Sequence, residues 1–254
     1  MRLRLTSATA AGLVLLLSLA ACGGGDSTPA ALPAKGTGVC TDIKNAKRMR
    51  YAINYTLESA RQANPPDDSS AGDFVVKPSQ PDFNFQVNYT GAFVTPDKLD
   101  YQLSSSPDQP SIPGIRIGKA EWFQLNGSWV PNSQPISGFV FTPPIFCDTL
   151  VAPLELGDKT ATIEKVGDVE ARHVRINGAS VPIAAQLFGD KSDNGRLLNF
   201  WDIDLWLRKD KDRLVKVEAV SKASYPYGRE MSSNLALEIS AFNDSDIPDI
   251  NPPI

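Results

Sequence analysis

The residues of this chain that could carry out chemistry are few, and each stands apart from the others. His173 is the only histidine in 254 residues, and no Gly-x-Ser-x-Gly sequence supplies a nucleophile that it could activate. Asp202 and Asp204 share one face of a predicted strand about 7 Å apart, a separation that glycosidases also use. Carboxylates on an exposed sheet face are usually solvated, however. We therefore expect a structural or surface histidine, no catalytic residue and no enzyme activity.

The acidic residues near the C-terminus offer oxygen ligands but not a calcium loop. Asp244, Asp246 and Asp249 lack the glycine and the terminal glutamate of an EF-hand, so a solvated tail is expected. One histidine and three cysteines leave few ligands for a transition metal. Lys+Arg number 25 against 29 Asp+Glu, a net charge of −4, so there is no basic surplus to neutralise phosphates. The sequence thus predicts no metal, no cofactor and no nucleic-acid partner.

The N-terminus carries an export signal. Arg2 and Arg4 precede an apolar run at residues 8–21, which is too short to cross a bilayer comfortably but has the length of a signal-peptide core. The sequence Leu19-Ala20-Ala21-Cys22 that follows resembles a bacterial lipobox. The resemblance implies a diacylglycerol thioether on Cys22 and cleavage before it. The alternative is an ordinary signal peptide with an incidental cysteine.

These features predict three segments. Residues 1–21 are the lipoprotein signal peptide, residues 22–39 are a flexible tether rich in Gly, Ala, Pro, Ser and Thr, and residues 40–254 are a single domain. Two or three acyl chains, palmitate among them, would anchor Cys22 stably in the cell membrane, with the domain facing the extracytoplasmic side.

Two thiols remain if Cys22 is acylated. An even remainder in an exported protein favours a disulfide between Cys40 and Cys147. It would close a loop of roughly 100 residues and contribute up to about 4.7 kcal/mol in the chain-entropy model. Two buried free thiols are the alternative.

Apolar residues alternate with polar ones through most of the chain, as in half-buried strands. The pattern is clear at 51–57, 83–94 and 98–105, and Asn126-Gly127 predicts a hairpin. Further strands are expected at 115–118, 121–125, 128–130, 160–166, 169–177, 199–208, 213–223 and 233–243. Three segments suggest helices: 41–50, 139–156 with Pro143-Pro144 opening it, and 181–192. The result is a long antiparallel meander with helical interruptions.

This order of elements resembles the LolA-like envelope lipoproteins, and among them the LppX and LprG group of mycobacterial lipoproteins. The lipobox, the meander and the helical interruption near the middle match. The local sequences that match are Ile115-Arg116-Ile117-Gly118, Glu121-Trp122-Phe123, Asn126-Gly127-Ser128-Trp129, Ile203-Asp204-Leu205-Trp206-Leu207, Arg213-Leu214-Val215-Lys216-Val217, Phe242-Asn243-Asp244 and Ile250-Asn251-Pro252-Pro253.

The resemblance implies an α+β fold that is mostly β: a large curved antiparallel sheet, or half-barrel, that wraps short helices. It also implies an apolar cavity between sheet and helices, in which relatives bind or carry lipids or lipid-linked molecules. The strand patterns agree, because one curved sheet has more apolar surface than two short helices cover. The expected cavity residues are Tyr51, Ile53, Tyr55, Phe83, Phe85, Val87, Leu99, Tyr101 and Leu103, with Ile183, Leu187 and Phe188 as a lid.

Two functions of different class follow. The first is a membrane-anchored lipoprotein that binds a lipid or lipid-linked molecule and carries or presents it across the cell envelope. The second is a non-enzymatic interaction or sensor module whose sheet packs on an envelope protein.

Overall fold

An antiparallel sheet of 11 strands dominates the computed structural model of this protein. The structure describes residues 31–61, 82–106, 109–132, 142–181, 200–225 and 229–253. Residues 32–254 form one compact unit. None of the helices within the described ranges has both the length and the apolar character needed to span a membrane.

The chain forms two runs of strands separated by a short helical segment. The first run follows α1 (Gly36–Asn45) and comprises β1 (Arg48–Arg61), β2 (Phe83–Val94), β3 (Lys98–Ser104), β4 (Ile112–Ile117), β5 (Ala120–Leu125) and β6 (Ser128–Pro131). The second run follows α2 (Pro143–Phe146), which continues as a π-helical turn at Cys147–Val151, and comprises β7 (Ala161–Val166), β8 (Val169–Ser180), β9 (Phe200–Arg208), β10 (Leu214–Tyr225) and β11 (Arg229–Ser240).

The two runs join in the middle of the sheet. Its strand order is β6-β5-β4-β3-β2-β1-β11-β10-β9-β8-β7, so β1 and β11 pair at the centre and β6 and β7 are the edges. Each run is a meander in which successive strands are neighbours. The predicted class, mostly β with one large open antiparallel sheet and short helices, is confirmed.

One face of the sheet packs against α1 and α2; it is called the inner face below, and the opposite one the outer face. A single apolar core contains residues of α1, α2 and the π-helical turn together with inner-face residues of β1 to β3, β5 and β7 to β11. A disulfide joins Cys40 of α1 to Cys147 of the π-helical turn, with Cα atoms 5.8 Å apart. The predicted pairing of these cysteines is thus present.

The helix boundaries differ in part from those predicted. Pro143 and Pro144 open α2 as expected, and the Thr142 hydroxyl caps it by accepting from the Ile145 amide at 3.3 Å. The helix predicted at 41–50 instead begins at Gly36, and β1 begins at Arg48. The last four residues of the predicted tether, 36–39, therefore lie in α1. Of the helix predicted at 181–192, residues 182–192 lie outside the described residues.

The C-terminal segment packs against the outer face. Ile247 and Ile250 are buried against Ala92 and Val94 of β2, which point away from the helices. Asn243 Oδ1 accepts from the Lys47 amide at 2.6 Å, and Lys98 pairs with Asp249 at 2.9 Å. The solvated tail that was predicted is in fact fixed to the sheet at these points.

Candidate ligand-binding face

The inner face is most tightly filled where the helices cover it. Cys40, Ile43, Phe146 and Leu150 from the helical segments are fully buried, as is Met49 at the start of β1. The disulfide holds α1 and the π-helical turn against each other at this end. This part of the protein is therefore a packed core.

The predicted cavity residues that the structure describes share the inner face. Strand register places Tyr51 opposite Gly91 and Ile239, and Tyr55 opposite Val87 and Leu235. Because directly paired residues of antiparallel strands point to the same side, these rows extend across the centre of the sheet. The inner-face residues at the packed end of this set are nearly fully buried: Tyr51, Ile53, Tyr55, Val87, Leu99 and Tyr101.

The apolar surface continues beyond the packed core to a border where it becomes accessible. This border, called the rim below, consists of five inner-face residues: Leu57, Phe85, Leu103, Ile112 and Leu125. All but Leu57 lie within two residues of a strand end, and Leu57 lies four residues before the end of β1. Leu57 and Leu103 are half-buried against the core, whereas Phe85, Ile112 and Leu125 are 36%, 39% and 46% exposed. The rim thus joins the core to solvent through apolar side chains.

The remaining predicted cavity residues are not placed. Phe83 begins β2, but its side chain is outside the described part of the structure. Ile183, Leu187 and Phe188, the predicted lid, also lie outside the described residues. Contact of any of these residues with a ligand stays a prediction.

A buried polar network that the sequence analysis missed lies on the same face. The Tyr101 hydroxyl donates to Glu121 Oε1 at 2.7 Å, and Asn132 Nδ2 donates to Glu121 Oε2 at 2.6 Å. Glu121 is only 3% exposed. Burial raises the pKa of the Tyr101 phenol, and the hydrogen bond to Glu121 raises it further. Glu121 alternates with Phe123 and Leu125 along β5, so the sequence pattern could have placed it on the same face as these apolar residues.

Hydroxyl groups and an indole also interrupt the apolar inner face near the rim. Ser221 pairs with Ser233, and Ser233 pairs with Leu57 of the rim. Ser221 Oγ donates to the Phe200 carbonyl at 2.8 Å, beside Trp201. Burial raises the pKa of Tyr55 to about 12, and the neighbouring Ser233 hydroxyl opposes the shift. Polar groups are therefore concentrated in this part of the surface.

The outer face holds the histidine and the paired carboxylates. His173 Nδ1 lies 2.7 Å from Glu164 Oε1, and His173 Nε2 lies 2.6 Å from Asp204 Oδ1. Arg175 also binds Asp204, at 2.8 Å. The expectation of a structural histidine agrees with this arrangement, but Asp204 is not a solvated carboxylate. Asp202 instead accepts from the Gly178 amide at 2.9 Å.

A shallow outer-face groove of about 580 Å³ lies beside these groups, lined by Arg175, Phe200, Asp202 and Lys222 among others. Within the described ranges no group of three or more His, Cys, Asp or Glu side chains is arranged to hold a metal ion. The arrangement supplies ion pairs and hydrogen bonds that connect β7, β8 and β9.

Comparison with known proteins gives matches among solved structures alone. No family model and no curated protein matches the chain. The chain is similar to LprF from Mycobacterium bovis, with 12% identity, a TM-score of 0.44, and coverage of 84% of this chain and 94% of that one. It is also similar to the LolA superfamily protein NE2245 from Nitrosomonas europaea, with 9% identity, a TM-score of 0.28, and coverage of 85% and 98%.

Proposed function

We propose that this chain is an envelope lipoprotein that binds a lipid or lipid-linked molecule on the inner face of its sheet and carries or presents it across the cell envelope. The acylated Cys22 would hold it to the cell membrane on the extracytoplasmic side. Binding would involve no covalent chemistry. Its driving force would be the transfer of an acyl chain from water to an apolar surface, which is favourable by about 0.8 kcal/mol per buried methylene.

The observation that carries this proposal is the change in exposure along one continuous apolar face. Ile53 and Tyr55 are completely buried, whereas Phe85 and Ile112 on the same face are more than a third exposed. An acyl chain that lies against the rim would remove these side chains from water and lengthen the existing core. The outer face has no comparable continuity, since His173, Arg175 and Asp204 occupy it.

The anchor and tether would let the domain reach between the membrane and an acceptor. Residues 23–31 separate Cys22 from the compact unit that begins at Leu32, where Leu32 packs against the core and the Ala34 carbonyl accepts from the Leu156 amide. A fully extended chain spans at most about 3.6 Å per residue, so the reach is at most about 32 Å. A domain tethered in this way would meet both its own membrane and a nearby acceptor.

A matched pair of substitutions tests lipid binding. Ile112→Asp places a carboxylate on the rim, and Val220→Asp places one on the outer face, at residues that are 39% and 38% exposed. We expect wild-type protein and Val220→Asp to retain bound lipid in native mass spectrometry after mild extraction from the natural host. Ile112→Asp should lose most of it, because a carboxylate is costly to bury against an acyl chain.

Two results would contradict the proposal. Lipid binding would be contradicted if the wild-type protein never carries lipid and does not bind a fluorescent fatty acid. A stable complex with an envelope protein that Ile112→Asp abolishes, without any bound lipid, would support the interaction module instead. Crosslinking before extraction distinguishes that outcome.

The anchor is tested separately with Cys22→Ala. We expect labelled palmitate to be incorporated into the wild-type protein and not into the variant. The variant should also leave the membrane fraction. Incorporation of palmitate by the variant would contradict acylation at Cys22.

A further inference from the structure

Trp201 is a buried hydrogen-bond donor that the described part of the protein leaves without an acceptor. Its side chain is 1% exposed, and Nε1 has no hydrogen-bond partner among the described residues. Indole N–H groups normally find an acceptor when they are buried, because an unsatisfied donor loses its hydration without compensation. The other described β9 tryptophan, Trp206, follows this rule and donates from Nε1 to Glu164 at 3.1 Å.

Strand register places Trp201 on the inner face near the rim. One row of paired inner-face residues runs from Ile203 through Ala219 and Leu235 to Tyr55. This row lies one step nearer the packed end of the sheet than the row of Trp201. The row of Trp201 continues through Ser221, Ser233, Leu57 and Phe85. Trp201 therefore lies in the same row as two rim residues, on the surface to which we assign lipid binding.

This part of the inner face is polar without being charged. Ser221 and Ser233 are 1% and 0% exposed, and Tyr55 lies one row away. Among the paired residues of this row and of the rows on either side of it, none is acidic or basic. Charged residues at inner-face positions of the described strands belong to other rows, among them Glu121, Arg116 and Arg172. The Arg61–Arg229 pair lies two rows beyond Ser233, towards the strand ends. Among the described paired residues, a ligand group in the row of Trp201 would thus meet hydrogen-bonding groups and no charged residue in that row or the rows beside it.

From this juxtaposition we infer that Trp201 Nε1, beside Ser221 and Ser233, donates to an uncharged ester oxygen of the bound lipid. The inference rests on the proposed function and specifies its ligand class as acyl esters. A free fatty acid fits less well, because its carboxylate would be desolvated with no cation among the described paired residues of this row and the rows beside it. An alkane fits less well because it leaves the indole donor unsatisfied.

The test compares three ligands of matched chain length: methyl palmitate, palmitate at pH 8 and hexadecane. Full-length protein, freed of endogenous lipid, is titrated with each by displacement of a fluorescent alkyl probe. We expect wild type to prefer the ester over the alkane by about threefold to tenfold, the range that one neutral hydrogen bond provides. Trp201→Phe should lose that preference while its affinity for hexadecane stays nearly unchanged.

Trp206→Phe is the matched control, since it removes an indole from the same strand on the outer face. It should keep the ester preference. A second readout does not depend on any variant folding: the indole N–H resonance of Trp201 in wild-type protein should move downfield with methyl palmitate and not with hexadecane.

The outcomes separate the two proposals. Equal affinities for ester and alkane, or an ester preference that survives Trp201→Phe with no shift of the indole resonance, would overturn the role of Trp201 and leave lipid binding intact. Wild-type protein that binds none of the three ligands would contradict the proposed function itself.

Discussion

The indole of Trp206 stacks on the imidazole of His173, with ring centroids 4.5 Å apart and planes 7° from parallel. Both rings also bind Glu164 of the edge strand β7, through His173 Nδ1 and Trp206 Nε1. Lys216 of β10 lies 4.9 Å above the Trp206 ring. Together, these contacts hold the edge strand to β8 and β9 on the outer face.

The first prediction concerns pH. Burial opposes protonation of His173, but hydrogen bonds to Glu164 and Asp204 raise its pKa above the ordinary value. A raised pKa in the folded state means that protonation stabilises the fold fully below about pH 6.5, and that this contribution is lost as the pH rises through the folded-state pKa. Wild type should therefore lose more stability than His173→Gln in urea unfolding between pH 5.5 and pH 8.5.

The pH window isolates this histidine well. It is the only one in the chain. Hydrogen bonds from His173 and Trp206 lower the pKa of Glu164, and hydrogen bonds from Arg175 and His173 lower that of Asp204 despite its burial. Both carboxylates thus stay ionised throughout the window, and the hydrogen bond to Asp204 raises the pKa of Arg175, which stays cationic. Parallel pH profiles for wild type and His173→Gln would show that the contacts contribute nothing to stability.

The second prediction concerns the buried carboxylate of Glu121. Glu121→Leu would leave the Tyr101 hydroxyl and the Asn132 amide without this acceptor, and we expect a loss of about 2–3 kcal/mol in the free energy of unfolding. Glu121→Gln keeps one carbonyl acceptor and should cost about 1 kcal/mol. Urea unfolding of both variants, and of each combined with Tyr101→Phe, measures the coupling. Additive losses in that cycle would contradict a direct interaction.

Two sequence features predicted most of what the structure shows. The alternation of apolar and polar residues predicted the strands, and the even number of cysteines left after Cys22 predicted the disulfide. Alternation at Tyr51, Ile53 and Tyr55 predicted their shared face, because side chains in a strand alternate with period two. The same rule did not identify Glu121, since a charged residue is ordinarily placed on the solvent side. Its burial depends on Tyr101 of β3, a contact that only the strand register determines.

Long-range contacts also explain the errors at the helix ends. Gly36 and Gly38 belong to a breaker-rich stretch that predicts a tether, yet the Gly36 amide donates to the Leu154 carbonyl at 2.8 Å and α1 begins there. Burial of Ile247 and Ile250 likewise depends on the outer face of β2. Neither partner is near in sequence, so local patterns did not predict these contacts.

The third prediction concerns the disulfide. The bond links residues 107 positions apart, and both sulfurs lie in the packed core. Constraint of so long a loop contributes about 2–5 kcal/mol, so Cys40→Ala/Cys147→Ala should lower the free energy of unfolding by that amount. Urea unfolding measures the loss, with Cys22→Ala as the control that should leave it unchanged. A double variant as stable as wild type would contradict a stabilising role.

The fourth prediction concerns the close approach of β2 and β3 at Gly91. A Cβ atom there would lie 1.9 Å from the Asp100 carbonyl oxygen and 2.7 Å from the Tyr101 Cα, both backbone atoms that cannot move aside without separating the strands. We expect Gly91→Ala to cost about 2–3 kcal/mol, the upper part of the range for overpacking. Gly167→Asn is the control, because Gly167 has φ +57° and a Cβ added there would meet no atom within 4 Å, in a conformation that asparagine tolerates. Its urea midpoint should stay near that of wild type, and an equal loss in both variants would show that strand separation at Gly91 is not the cause.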